Sequence, residues 1–350
     1  MITSEEGNLL QADADALVNT VNTVGVMGKG IALQFKKAYP AMFKEYARAC
    51  KAGDVQLGHM HIWETGALDG PRFIINFPTK GHWRAPSKLP DVVAGLADLV
   101  AVVQKREITS IAIPPLGCGN GGLNWTDVKP LIVNAFADLP GVDVKIYPPH
   151  GAPAASEMPN ATVRPKMTVG RASLVSLLAQ YSRLAVGATP VEMQKLMYFL
   201  QEAGEPLNLK FEPGRYGPYA DSLRHVLSTV EGHFITGYGD ASAPVLEAEA
   251  MKTLPGAEEE ADRVLADHVQ TGERVDRVMQ MIDGFESRYG MELLASVHWV
   301  TSHDAAAAGD WREAVEQVHR WTPRKKLTFT AEHIETAWNA LRERELTPRV

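Results

Sequence analysis

Residues 18–36 read VNTVNTVGVMGKGIALQFK: an apolar strand, two asparagines, a glycine-rich loop, then an amphipathic helix. Leu17 and Val18 continue a buried strand, and Asn19 and Asn22 end it with short amides that bond backbone groups or sugar hydroxyls. Gly25, Gly28 and Gly30 permit the positive φ angles and close backbone approach that a loop around an anion needs. A helix predicted over 31–39 follows at once. Its first amides have no intrahelical partner and carry the positive end of the helix dipole, which together favour phosphate. The pattern fits the phosphate and ribose end of a nucleotide-diphosphate pocket, and equally a plain strand-turn-helix connection. A Walker A loop is excluded, because Thr23 stands where its first glycine belongs and Gly30 where its Ser or Thr belongs. A Rossmann fingerprint is excluded by Leu33 in place of its third glycine.

Working outward, strands and helices alternate as far as residue 149. Apolar strands are predicted at 16–21, 59–63, 73–77, 110–114 and 142–147. A helix over 89–104 places Val92, Leu96, Leu99 and Val103 on one face, and another after Trp125 turns Val128, Leu131, Ile132 and Phe136 inward. Such alternation implies an α/β layered domain with a largely parallel sheet, whose ligands bind beyond the carboxyl ends of the strands. Three loops leave those ends: the opening stretch, then Pro78-Thr79-Lys80-Gly81-His82-Trp83-Arg84, then PPLGCGNGGLNW over 114–125. The third is so rich in glycine that ordering it is entropically costly, and facing the first it would clamp a diphosphate.

Composition narrows the function classes. No run of about 18 apolar residues is present, so a membrane-spanning protein is not expected. The first residues, MITSEEGNLL, lack a signal-peptide pattern, and Cys50 and Cys118 are too few for a disulfide scaffold or a cysteine-built metal site. A reducing cytoplasm is the expected compartment, with no metal and no cofactor. The net charge of −7 is uneven: residues 1–150 hold 14 acids and 14 bases, residues 151–350 hold 28 and 21. The excess concentrates between Glu247 and Glu286, which is either a solvated helix face or a surface for a basic partner.

Four pieces in order, Gly7-Asn8-Leu9-Leu10, Asp15-Ala16-Leu17-Val18-Asn19, Gly28-Lys29-Gly30-Ile31-Ala32 and Gly117-Cys118-Gly119-Asn120-Gly121-Gly122-Leu123, resemble the macrodomain, the ADP-ribose-binding α/β fold, over residues 1–149. The GKGIALQFK form and Lys80 after a strand resemble the branch that removes terminal ADP-ribose with a lysine, and most closely the DarG-type DNA ADP-ribosyl glycohydrolase antitoxins. That resemblance implies hydrolysis of ADP-ribosylated thymidine in single-stranded DNA, with Lys80 as the essential residue. It assigns ADP-ribose binding to Asn8, Leu9, Asn19, Asn22, Gly28, Lys29, Gly30, Ile31, Thr79, Gly117, Cys118, Gly119, Asn120 and Gly121. Two positions depart from macrodomain patterns: Asn8 replaces an aspartate that holds adenine, and Gly121 replaces an aspartate of the lysine-using protein hydrolases.

The bond to be broken joins the anomeric carbon of the distal ribose to a base nitrogen, so cleavage builds oxocarbenium character on the sugar. The two carboxylates of ordinary glycosidases are missing from these loops, but an imide-like thymine nitrogen departs without strong protonation. Lys80 then acts either as a neutral amine attacking that carbon or as an ammonium stabilising the departing base. Asn22 is assigned to the distal ribose hydroxyls or to turn formation. His82 is a proton shuttle or a ring stacked on Trp83. Trp83 and Arg84, with Lys88, either contact the DNA strand or form a solvent-exposed edge. Cys118 reads as a small packing residue within its loop.

The stretch PPHGAPAASEMPNATVRP, 148–165, resists helix and sheet. Domains are accordingly expected at 1–149 and 169–350, joined by a proline-rich linker at 150–168. Thr189-Pro190-Val191-Glu192 is a capping box opening a helix that stops at Gly204. Gln194-Lys195-Leu196-Met197-Tyr198-Phe199 and Tyr216-Gly217-Pro218 resemble the SocA-like, or Panacea, antitoxin domain, which implies a mostly helical unit holding a DarT-type DNA ADP-ribosyltransferase toxin. Two other functions fit the first domain: hydrolysis of ADP-ribose from protein, and non-catalytic ADP-ribose binding.

Overall fold

The computed structural model describes every residue except Val186, Leu246 and 345–350. By its contacts the chain forms two units: Met1–Val163 with Gly239–Ala243, and Arg164–Tyr238 with Pro244–Val350.

The first unit runs β1 (Ile2–Ser4), β2 (Ala16–Asn22), α1 (Gly30–Ala38), α2 (Pro40–Ala52), β3 (His61–Glu64), β4 (Phe73–Lys80), α3 (Leu89–Lys105), β5 (Ser110–Ile113), α4 (Trp125–Ala135) and β6 (Asp143–Ile146). The strands form one sheet in the order β1-β6-β5-β2-β4-β3. All neighbours are parallel except β3, which runs antiparallel to β4. This is the expected α/β sheet between helices. Both faces are covered, which is why its central strands are buried along nearly their whole length rather than on alternate residues. On one face Ala16, Val18, Ile75 and Phe77 pack with Val92, Leu96 and Leu99 of α3 and with Val128 and Ile132 of α4. On the other, Leu17, Val21, Ile74 and Ala112 pack with Phe35 of α1 and with Met42 and Tyr46 of α2. The predicted helical stripes on α3 and α4 are these buried faces. Gly95 lets α3 lie against the sheet: a Cβ there would stand 2.3 Å from the Phe77 ring.

Three elements differ from expectation. The helix after the first glycine loop is followed at once by a second, because Pro40 at a helical N-terminus opens α2. A short strand, β1, lies at the sheet edge and pairs with β6 through Ile2, Thr3 and Ser4. The strand predicted to end at residue 77 continues through Pro78, so Thr79 and Lys80 belong to β4 rather than to the loop.

The second unit is helical: α5 (Val169–Leu184), α6 (Pro190–Glu202), α7 (Asp221–Val230), α8 (Ala257–Ala266), α9 (Val269–Ile282), α10 (Arg288–His303), α11 (Ala305–Gly309), α12 (Trp311–Trp321), α13 (Pro323–Thr328) and α14 (Ala331–Glu343). Hairpin β7 (Glu212–Gly214) and β8 (Gly217–Tyr219) and the pair β9 (Ile235–Thr236) and β10 (Lys252–Thr253) complete it. The predicted box at α6 is seen in the Glu192 carboxylate, which takes the Thr189 N–H at 2.8 Å and the Tyr181 hydroxyl at 2.8 Å. Beneath the hairpin lies a buried charged cluster. Lys195 donates to the Pro218 carbonyl at 2.6 Å, Lys325 to Glu292 at 2.8 Å and Ser296 at 2.9 Å, and Arg324 binds Glu292 with both nitrogens. The resembling stretch Gln194–Phe199 and the Tyr216-Gly217-Pro218 turn therefore meet in one place.

Candidate active site

The carboxyl ends of β2, β4 and β5 bring the three predicted loops together. The register of β2 on β4 shifts after Val21, so that Asn22 stands opposite Lys80. Ties then run between the loops in pairs. Thr23 Oγ1 donates to the Gly81 carbonyl at 2.7 Å, joining the first loop to the second. Ser87 N donates to the Gly121 carbonyl at 2.9 Å, joining the second to the third. The third meets the first at Gly30, where a Cβ would touch Asn120 Nδ2 at 3.4 Å. Gly30 itself has φ +63, a conformation that glycine adopts without strain.

Lys80 stands at this junction. Its side chain leaves the end of β4, is half-buried, and donates from Nζ to the Asn120 carbonyl at 2.9 Å. Loss of solvent lowers its pKa below the ordinary lysine value. Among the described residues it forms no ion pair, and no cluster of three or more His, Cys, Asp or Glu suits a metal. The groups gathered here are an amine, backbone amides and amide side chains.

The remaining candidates separate by position. Gly28 and Lys29 are exposed at the rim, and Ile31 begins the half-buried face of α1. Thr79 is buried and donates to the Val21 carbonyl at 3.4 Å, holding β4 on β2. Asn22 spends its amide on its own loop: Nδ2 donates to the Val26 carbonyl at 2.6 Å, and Oδ1 accepts from Val24 and Val26 at 3.1 and 3.2 Å. Its backbone carbonyl takes the Tyr46 hydroxyl. These side-chain bonds are those of turn formation, one of the two roles read for Asn22. Asn19 lies inside β2 rather than at its exit. Strand alternation turns it inward, fully buried, where Nδ2 donates to Asn76 Oδ1 at 2.9 Å. Asn76 in turn lies 3.2 Å from His61 Nδ1, a polar ladder across β2, β4 and β3.

Asn8 caps the turn at Leu9–Gln11 by accepting from Leu10 N at 3.0 Å, and donates to the Glu157 carbonyl at 2.9 Å. Leu9 is buried in the core beside it. In the third loop Gly121 is tightly enclosed: a Cβ would fall 2.3 Å from Ser87 Oγ and 2.4 Å from the Gly117 carbonyl. No carboxylate side chain fits there without rebuilding the loop. Gly117 and Gly122 have positive φ, and Gly119 and Asn120 are exposed. Burial and the nearby Asp127 carboxylate push the Cys118 thiol up to about 11, which keeps it protonated and unreactive. At the rim, His82 stacks on Trp83 with centroids 5.4 Å apart, and the Arg84 guanidinium lies 4.4 Å from the same ring on an indole 45% exposed.

Sequence reasoning missed Thr23, Ser87 and Tyr46, whose roles are backbone ties with no motif of their own. It also missed Asp240, which joins this unit from far along the chain: its carbonyl accepts the Gly30 N–H at 3.0 Å and its carboxylate the Gln34 amide at 2.6 Å.

A sheet of this order with two glycine loops at its carboxyl ends defines a macrodomain, and the family profile described as Macro domain matches residues 18–132. The DNA ADP-ribosyl glycohydrolase of Mycobacterium tuberculosis is 48% identical over 349 residues, covering 96% of this chain and 98% of that protein. The protein of the same name from Thermus aquaticus is 45% identical over 344 residues, covering 98% and 94%. A DNA ADP-ribosyl transferase-DNA ADP-ribosyl glycohydrolase fusion protein of Thermosipho africanus is 32% identical over 176 residues, covering 46% of this chain and 44% of its own. The chain belongs to the DNA ADP-ribosyl glycohydrolase family.

Proposed function

We propose that this protein removes ADP-ribose from thymidine in single-stranded DNA and serves as the antitoxin to a DarT-type ADP-ribosyltransferase. The observation that carries the enzymatic half is Lys80, seated on the Asn120 carbonyl where the two glycine loops meet. Hydrolysis breaks the bond between the anomeric carbon and the thymine nitrogen, gives the carbon a water oxygen, and returns a proton to the base. The glycine loops bind the diphosphate and riboses, with Asn8 near the adenine. Desolvation moves Lys80 toward the neutral amine that attack on the anomeric carbon requires. Trp83 and Arg84 present a ring face and a cation at the rim, which suits a base and a phosphate of the modified strand. His82 is stacked on that ring and belongs to the same platform.

Residues 1–149 carry this chemistry in our reading, and residues 169–350 hold the toxin as a SocA-like domain, after the linker at 150–168. Among the described residues no helix is long and apolar enough to cross a membrane, which accords with work in the cytoplasm on DNA. The alternatives of a protein-linked substrate or a non-catalytic binder lack a supporting feature of equal weight: a binder needs the glycine loops but no lysine between them.

The test uses the full chain and a single-stranded oligonucleotide carrying ADP-ribosyl-thymidine. Release of ADP-ribose by the wild type and not by Lys80→Ala is the expected result. Release by both would remove Lys80 from the chemistry, and release by neither, with ADP-ribose bound in calorimetry, would leave a binding module. Borohydride added during turnover traps a covalent sugar–Lys80 adduct if the amine attacks, and traps nothing if Lys80 acts as an ammonium.

A further inference from the structure

We infer that Asp240 is a positioning residue for the first glycine loop, supplied to the catalytic unit by the second half of the sequence. Helix α1 starts inside that loop, and its N-cap position is Lys29, whose side chain caps nothing. Serine, threonine, aspartate or asparagine there would satisfy a first-turn amide, and a lysine has no acceptor to offer. The first amide of the helix, the Gly30 N–H, is taken by the Asp240 carbonyl at 3.0 Å. The same residue is fixed twice more through its carboxylate. Oδ2 accepts from Gln34 Nε2, one turn further along α1, at 2.6 Å, and Oδ1 accepts from Ser242 N at 2.9 Å, closing a tight turn.

Both side chains are buried, Asp240 at 3% exposure and Gln34 at 5%. A buried carboxylate is retained only where its acceptors are used, and here both oxygens are. The Gly239–Ala243 segment belongs by its contacts to the first unit, and Gly239 packs beside Ala155 and Met158 there. Met158 follows Glu157, whose carbonyl is held by Asn8 and Gln11. Asp240 thus sets the height and direction of the Gly28-Lys29-Gly30 turn against Asn120, and with it the width of the clamp. It touches neither the reacting bond nor Lys80, so its loss should weaken binding and leave the chemical step alone.

This inference rests on the proposed reading of the site, and the test separates the two. Full-length Asp240→Ala, Asp240→Asn and Gln34→Leu are compared with wild type on the ADP-ribosyl-thymidine oligonucleotide. Asp240→Ala and Gln34→Leu should each raise KM about tenfold with kcat within about twofold. Asp240→Asn should restore KM, because its Oδ1 still accepts from Ser242 N and its Nδ2 donates to Gln34 Oε1 once the Gln34 amide turns over. An unchanged KM in Asp240→Ala would overturn the inference. So would a lowered KM, which would mean that the segment competes with substrate for the Gly30 amide. A fall in kcat and thermal stability that Asp240→Asn does not rescue would reduce the residue to general packing. Should wild type release nothing, calorimetry with free ADP-ribose reads the same ordering: weaker binding in Asp240→Ala but not in Asp240→Asn supports the inference, and equal binding, or none in wild type, ends it.

Discussion

Lys80 and Lys195 are both pushed below the ordinary lysine pKa by burial, and they do opposite things. Lys80 stands half-buried at the lip of the first unit, bonded to the Asn120 carbonyl. Lys195 lies wholly inside the second unit, against the Pro218 carbonyl, with desolvation and the neighbouring Lys325 bringing it down to about 7. The buried one is the more perturbed. A shifted pKa marks a functional site only where a solute can reach the group. Lys80 meets that condition and Lys195 ties the Tyr216-Gly217-Pro218 turn to the helices.

The largest effect that separates the two should be kinetic. Lys80→Ala is expected to lower turnover on the modified oligonucleotide by at least about 10³-fold, or roughly 4 kcal/mol of transition-state stabilisation, with an unchanged melting temperature. Lys195→Met should leave turnover within about twofold and act, if at all, on the melting of the second unit.

Breaking the buried cluster comes next. Glu292→Ala leaves the ammonium of Lys325, which is 0% exposed, and the guanidinium of Arg324 without their shared carboxylate. A loss of about 3–5 kcal/mol in denaturant unfolding is expected. Gly95→Ala offers a comparison in the first unit, where a Cβ would meet the Phe77 ring, and should cost about 1–3 kcal/mol.

The pH dependences run through the two lysines differently. Lys195 is protonated in the unfolded chain up to its ordinary value near 10.5 but deprotonates at about 7 in the fold. Between those values the unfolded state binds the extra proton, so stability rises with pH by up to about 1.4 kcal/mol per unit, and flattens below pH 7. Lys325, also lowered, adds in the same direction. Thermal melts from pH 6 to 10 check this, and Lys195→Met should flatten the slope. For Lys80 the readout is kcat, which should rise with pH and level off below the ordinary lysine value if the neutral amine attacks. The smallest effect belongs to the rim: Trp83→Ala should raise KM for an oligonucleotide by roughly tenfold or less, about 1 kcal/mol, and leave it unchanged for ADP-ribosyl-thymidine alone.

The sheet, the glycine loops and the helical stripes were legible because each is written locally, in apolar runs, glycine spacing and helical periodicity. Lys80 was legible as a candidate, though not its place on β4, since Pro78 reads as a strand end and here sits within one. Asn19 and Asn22 look alike in sequence. Only the pleat, which turns one inward and leaves the other to build the loop, distinguishes them. Asp240 could not be read at all: it bonds a residue 206 positions away, and GYGDASAP carries no signal that it belongs to the first unit. Nor does a backbone tie such as Ser87 to Gly121 leave any imprint on residue choice beyond a glycine.

The pairwise ties among the three loops bear on any attempt to redesign this cleft. Thr23 holds Gly81, Ser87 holds Gly121, and Lys80 reaches Asn120, so the middle loop is tied to both of the others and each outer loop is shaped through it. Grafting one of them into a related scaffold would carry its residues but leave behind the anchors that give them their form. A transplant that moves specificity intact must take residues 22–30, 80–88 and 114–124 together, with the Asp240 segment that anchors the first of them.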